Sequence, residues 1–257
     1  MNDEQEWVRG DVTLRIDGKP LELSMTVPAK PTTIRKMLPV FQRMSDSFVD
    51  LAIGNVESVG REVSCKAGCG ACCRQAVPLS VPEAFDIARI VEDMPEEQKK
   101  KVTERFEAAI QKLAETGWFR RLDLAATLND RDRELIIEDY FKLGISCPFL
   151  ENESCSIHSE RPLACREYLV TSPAERCDEP FKGGVDGITL AVKPSTTLNR
   201  ISRDSENAPD VGFVPLILAL KWAEMSDENN EKKTGEQWMA DFFTNLTNDK
   251  IPGFEGQ

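Results

Sequence analysis

The stretch Cys65-Lys66-Ala67-Gly68-Cys69-Gly70-Ala71-Cys72-Cys73 holds four of the chain's eight cysteines, and its reading decides how the rest of the chain is organised. Thiols this close suit convergence on a metal better than a framework of disulfide-closed loops. Gly68 and Gly70 let backbone approach such a centre and leave amide N–H groups free to point at thiolates. The adjacent pair is informative. Side chains of neighbouring residues point about 100° apart on a helix and to opposite faces of a strand. One ion is awkwardly held by both Cys72 and Cys73, so a multinuclear centre or two neighbouring sites is the more natural arrangement. The plainer alternative is that one of the two is a small buried residue.

Working outward, the remaining cysteines follow a long interval. They are Cys147 in Cys147-Pro148-Phe149-Leu150, Cys155 in Cys155-Ser156-Ile157-His158, Cys165 in Arg161-Pro162-Leu163-Ala164-Cys165-Arg166, and Cys177. Thiolates are soft ligands favoured by zinc and by iron–sulfur clusters. Two groups so far apart in sequence fit a centre that ties distant parts of one fold together, and the expectation is that they meet in space. A disulfide framework would need an oxidising compartment. The acidic start Met1-Asn2-Asp3-Glu4-Gln5-Glu6 lacks the basic flank and apolar run of a signal peptide, so the expectation is a cytoplasmic protein with reduced thiols.

The flanks read as mainly α with a small β element (α+β). Val12, Leu14 and Ile16 alternate with polar neighbours, as do Leu21, Leu23, Met25 and Val27, and Asp17-Gly18-Lys19-Pro20 supplies a hairpin turn. A helical pattern follows from Thr33 to Asn55, kinked or restarted at Pro39. After the first cysteine group, Ser80-Val81-Pro82-Glu83 has the form of a capping box opening a helix. A longer helix runs from Pro95 and stops at Gly117, and another runs from Asp132 to Leu143 and stops at Gly144. Short strand-like runs appear at Ile188 to Val192, and helices return near Phe213 to Glu224 and Gly235 to Leu246, joined by a solvated linker over Ser226 to Thr234. The expected organisation is a hairpin and helix over 1–57, a loop-rich, metal-organised domain over 58–185, and a helical extension over 186–257 packed on the same domain.

Composition sets exclusions. A formal net charge of −12 argues against nucleic-acid phosphates as partners. No segment approaches the roughly 20 apolar residues of a membrane span. Metal ligands are expected first from Cys65, Cys69, Cys72, Cys155 and Cys165, then from Cys73 and Cys147, and last from Cys177, which lies in a polar stretch without a neighbouring motif. Arg161 and Arg166 are read as cofactor-binding groups whose guanidinium charge offsets a thiolate-rich centre, and Lys66 and Arg74 could serve likewise. His158, the only histidine, is read as a packing residue rather than a ligand.

The order Cys-x3-Cys-x2-Cys-Cys, then Leu79-Ser80-x-x-Glu83-Ala84, Cys147-Pro148-Phe149-Leu150, and Cys155-x-Ile157-x3-Arg161-Pro162-x2-Cys165-Arg166 resembles the YkgJ-type cysteine-cluster proteins. The resemblance covers residues 60 to 180. It implies a domain that chelates zinc or iron, an iron–sulfur cluster being one form the metal could take. A flagellin lysine N-methylase belongs to the same broad group, which opens a methyltransferase reading, although no glycine-rich strand–turn–helix is found to hold its cofactor. The spacing Cys65-x3-Cys69-x2-Cys72 is also that of radical S-adenosylmethionine enzymes, a fold that needs repeated β/α units where this chain reads as successive helices. A thiol-based redox sensor is a third class.

Overall fold

The computed structural model describes residues 6–16, 19–203 and 212–247. Alternating apolar residues build an antiparallel hairpin of β1 (Trp7–Ile16) and β2 (Lys19–Pro28), with Ile16 opposite Lys19 and Val12 opposite Leu23. The tip, Asp17-Gly18, lies outside the described residues. Leu23 and Val27 are buried on one face, as period-two alternation requires. A 3₁₀ turn (Ile34–Met37) leads into α1 (Leu38–Ser58), with Pro39 in its first turn. Pro39 thus restarts the helix rather than kinking it, because that position has no intrahelical N–H to lose.

Between the two cysteine groups the chain is helical. Strand β3 (Pro78–Leu79) is followed by α2 (Val81–Glu92), α3 (Glu96–Glu115), α4 (Trp118–Asp123) and α5 (Asp130–Lys142). The capping box at α2 is formed in full, Ser80 and Glu83 each serving the other's backbone. Gly117 (φ 69°) and Gly144 (φ 59°) take the left-handed conformation that ends α3 and α5. The short helix α4 has no counterpart in the sequence pattern. It exists because Trp118 is buried and its indole Nε1 donates to Ile136 O at 2.9 Å. No repeated β/α units follow the first cysteine group among the described residues.

The second half is built of short pieces: β4 (Leu150–Glu151), β5 (Ser154–Cys155), α6 (Leu163–Glu167), α7 (Pro194–Arg203), β6 (Val214–Pro215), α8 (Ala219–Met225) and α9 (Gly235–Thr247). The strand expected over Ile188 to Val192 is absent. One bridge joins Val170 to Gly187, and Leu190 packs instead against Val49 and Ala52 of α1. The helix expected from Phe213 begins only at Ala219, because Val214 and Pro215 pair with Leu79 and Pro78 to form β6–β3. The stretch 226–234 is mostly exposed, as expected of a solvated linker, and is tied down near its end. Lys233 pairs backbone with Thr32, and its ammonium lies 2.7 Å from Asp241.

Two apolar cores result. One gathers α2 to α5 with Phe149, Ile157 and residues 214 to 219; the other gathers the hairpin, α1, Leu163, Leu198 and α9. In the second, Phe41 stacks on Phe242 with ring centroids 4.7 Å apart, both fully buried. No helix among the described residues is long and apolar enough to cross a membrane. Removing one of these rings leaves a cavity that the facing helices cannot close. Phe41→Ala is therefore expected to lower unfolding stability by about 3–5 kcal/mol, measured by urea denaturation; a loss under about 1 kcal/mol would contradict this account of the second core.

Candidate metal centre

The first cysteine group is a loop ending in a 3₁₀ turn, Ala71–Arg74. Gly68 holds φ at 83°, which only glycine adopts without strain, and Cys69 N then donates to Lys66 O at 3.1 Å to close the turn. Gly70 serves a different purpose. A methyl group there would stand 2.5 Å from Glu153 Oε2 and 2.7 Å from Leu150 Cδ1, so glycine is what lets the β4–β5 hairpin lie against this loop. That hairpin turns through Asn152 (φ 49°) and Glu153 (φ 58°), the paired positive φ values of a type I′ turn. Its tip is clamped. Arg74 donates to both Glu153 oxygens at 3.1 and 2.8 Å and to Gly70 O at 2.8 Å.

The two cysteine groups meet. Cys147 N donates to Cys73 O at 2.7 Å, and Ser64 N donates to Val170 O at 2.9 Å. The turn carrying Cys72 and Cys73 lies against the 3₁₀ turn Ala174–Asp178, which carries Cys177. The Cys72 thiol sits at the hub, beside that of Cys73. Cys65, Cys147, Cys155, Cys165 and Cys177 are each within its electrostatic reach. All eight thiols are free, and Cys177, ranked last from sequence, is the one that is fully buried. Its polar neighbours in sequence conceal the apolar contact with Ala71 and Val170 that buries it.

Second-half thiols are fixed by further contacts. Arg105 on α3 donates to Pro148 O at 2.9 Å, and Phe106 meets Phe149 edge-on at 5.6 Å, so the Cys-Pro-Phe-Leu loop rests on α3. Buried Glu83 reaches past its own capping box: Oε2 accepts from Ser80 N and Oγ at 2.8 and 2.7 Å, while Oε1 accepts from Leu163 N at 2.8 Å. The carboxylate thereby binds α2 to α6, which carries Cys165. A capping box is legible in sequence; a second partner eighty residues away is not. At the other end of α6, Glu167 accepts from Ser195 N and Oγ, tying it to α7.

The two arginines divide their labour. Arg166, buried, donates to Asp46 on α1 at 2.9 and 2.8 Å, to Arg161 O at 3.0 Å and to Ser159 O at 2.5 Å. Its guanidinium is engaged with carboxylate and carbonyls, where the sequence suggests a direct hold on a cofactor. Arg161 differs. It donates to His158 Nε2 at 2.9 Å, yet its buried Nε has no hydrogen-bond partner, and its charge reaches Cys65, Cys72 and Cys155. His158 is exposed and occupied by that arginine, which holds the imidazole pKa below its usual value. Lys66 is exposed at the surface of the loop.

Electrostatics favour a cation among these sulfurs. Burial pushes the Cys147 thiol up to about 12, and burial likewise raises Cys65, Cys155, Cys165 and Cys177, each thiolate opposing its neighbours. Contact with the Cys73 thiol, and then burial, raises Cys72. Against this, backbone N–H groups of Val170, Phe149 and Ile157 donate to the sulfurs of Cys65, Cys147 and Cys155 and favour their thiolates. Such N–H···S bonds, with an unpaired buried guanidinium N–H, are what surrounds a thiolate-held metal. Among the described residues, no group of three or more His, Cys, Asp or Glu side chains is placed to hold a metal ion. The thiols converge on one region without closing around a single point. In donor chemistry and in counter-charge the residues fit zinc or iron.

No curated protein and no solved structure matches the chain. A family model does match, over residues 64–182. The segment that carries all eight thiols is thus similar to the CxxCxxCC family, described as a "Putative zinc- or iron-chelating domain".

Proposed function

We propose that the protein binds zinc or iron through the clustered cysteines, and that the bound metal organises the central part of the fold. The observation that carries this reading is the position of Cys72, whose thiol has five cysteines from both halves of the sequence within electrostatic reach. A soft cation there would displace the thiol protons and attract all of the resulting thiolates. Cys65, Cys69, Cys72, Cys73, Cys147, Cys155, Cys165 and Cys177 are the candidate donors, and Arg161 supplies positive charge from outside. The metal, when bound, supplies a link between distant segments worth on the order of 10 kcal/mol in small zinc peptides. Gly70 brings the hairpin bearing Cys155 against the loop bearing Cys69. Glu83 and Arg166 hold α6 so that Cys165 faces the same place.

The chain purified without oxygen is expected to contain bound metal, brown if an iron–sulfur cluster and colourless if zinc, with elemental analysis deciding between them. Cys72→Ser puts a poor donor at the hub and is expected to abolish most metal retention. Gly70→Ala drives the hairpin away and is expected to lower retention several-fold while leaving the fold of α9 and the N-terminal hairpin intact. Full loading of both Cys69→Ser and Cys72→Ser would overturn the assignment.

A pH dependence follows from the raised thiol values. In the metal-free chain these groups carry protons well above neutrality, and a metal must displace them to bind. Affinity therefore rises with pH throughout the neutral range and falls as pH drops, whereas thiols already ionised at neutral pH would give little dependence there. Zinc added to the metal-free chain in weak buffer is expected to release about one proton for each thiol that becomes a ligand. Uptake without proton release would show that the bound donors are not these thiols.

A further inference from the structure

We infer that the N-terminal hairpin is half of a four-stranded sheet, completed when the free edge of β1 pairs antiparallel with the same edge of a second copy of this chain. Among the described residues that sheet holds β1 and β2 alone. Their register runs unbroken from Trp7 with Pro28 to Ile16 with Lys19, without a bulge to turn an edge away. Ala29 N donates to Glu6 O, which continues that register and fixes its phase. Opposite residues that exchange bonds alternate with residues that do not, so Val8, Gly10, Val12, Leu14 and Ile16 turn their amides to β2. Trp7, Arg9, Asp11, Thr13 and Arg15 turn theirs outward. The two edges are unequal. The outward positions of β2 are Pro20, Glu22, Ser24, Thr26 and Pro28, and the two prolines have no N–H to give. Pro28 is covered as well, since a methyl group at Gly235 would stand 2.7 Å from its carbonyl oxygen. Strand β1 has no proline and presents a full row of donors and acceptors.

Charge along the edge selects a second copy as the occupant. Arg9, Gly10, Asp11, Thr13 and Arg15 are exposed, and a methyl group added at Gly10 would meet nothing within 4 Å. Val8, Val12 and Leu14, on the inner face, are only half-buried, and two strands alone bury too little to be stable on their own. Against a copy of itself the strand can set Gly10 opposite Gly10, which places Arg9 opposite Asp11 on both sides of the axis and Val8 opposite Val12. Centred on Thr13 instead, it places Asp11 opposite Arg15 twice. The registers between and beside these oppose Asp11 to Asp11, Arg9 to Arg9 or Arg9 to Arg15, and a shift by one residue mismatches the faces. In both matched registers the outward amides of Asp11 bond to those of an arginine whose side chain lies on the same face. Arg9 and Asp11 are already held on that face through Ser24, whose hydroxyl accepts from Arg9 at 3.4 Å and donates to Asp11. On a chain of net charge −12, β1 carries two arginines and one aspartate, so copies can approach along it without repelling each other.

The test uses the full chain, purified without oxygen and kept reduced so that no thiol cross-links two copies. Sedimentation over a wide concentration range is expected to show wild type passing from monomer to dimer. Across that range the backbone amides of Arg9, Asp11 and Thr13 should exchange more slowly as dimer forms, while those of Glu22, Ser24 and Thr26 stay unchanged. Asp11→Arg leaves an edge of arginines alone, and Arg9→Asp with Arg15→Asp leaves one of aspartates alone. Each is expected to dimerise at least about tenfold more weakly than wild type, and an equimolar mixture of the two is expected to associate again. Circular dichroism checks that the variants fold; if one does not, amide exchange in the wild type still decides. Wild type that stays monomeric throughout would overturn the proposal and leave the edge to an extended segment of a different chain. A dimer with unchanged exchange along β1, variants that dimerise like wild type, or a mixture that stays monomeric would each overturn it too.

Discussion

Charge among half-buried sulfurs is the constraint on which the centre of this molecule depends. Thiols that crowd one another away from water cannot ionise together unless a cation joins them. The chain nevertheless brings them together by specific backbone means: a left-handed Gly68, an open face at Gly70, a type I′ turn at Asn152-Glu153 and the Cys147–Cys73 amide bond. Fixed N–H groups donate to sulfur, and one buried guanidinium nitrogen beside them has no partner of its own. Such an arrangement keeps these thiols protonated while they lack a cation, and their ionised form is favoured only where a cation joins them.

Around that centre the scaffold is conventional. Two apolar cores flank it, one built on α2 to α5 and one on the hairpin, α1 and α9. The segment between them makes little core of its own. What holds it in the absence of metal is a set of polar clamps, each anchored in a helix: Glu83 to Leu163, Arg166 to Asp46, Glu167 to Ser195 and Arg105 to Pro148. Burial raises the pKa of the Glu83 carboxylate, and only amide and hydroxyl donors support it. It stays because its two oxygens fix two chain segments at once.

Much of this architecture is legible in the sequence. Period-two alternation places the hairpin, period-3.6 patterns and glycine stops place α1, α2, α3, α5 and α9, and cysteine spacing locates the centre. What is not legible has a common cause. Each such feature depends on a partner far away in sequence. Ile188 to Val192 looks like a strand until Leu190 packs on α1, and Val214 looks helical until β3 claims it. Arg166 resembles a group for the centre until Asp46 takes it, and Cys177 looks peripheral until Val170 buries it. Local pattern carries the elements; the contacts that select between two local readings are long-range.

The central claim is that sulfur from these cysteines forms the inner shell of a bound metal. X-ray absorption at the metal edge of the protein as purified tests it most directly. The account predicts a shell of sulfur alone, at about 2.3 Å if the ion is zinc. A shell dominated by nitrogen or oxygen would contradict it, because those donors would have to come from outside the cysteine cluster.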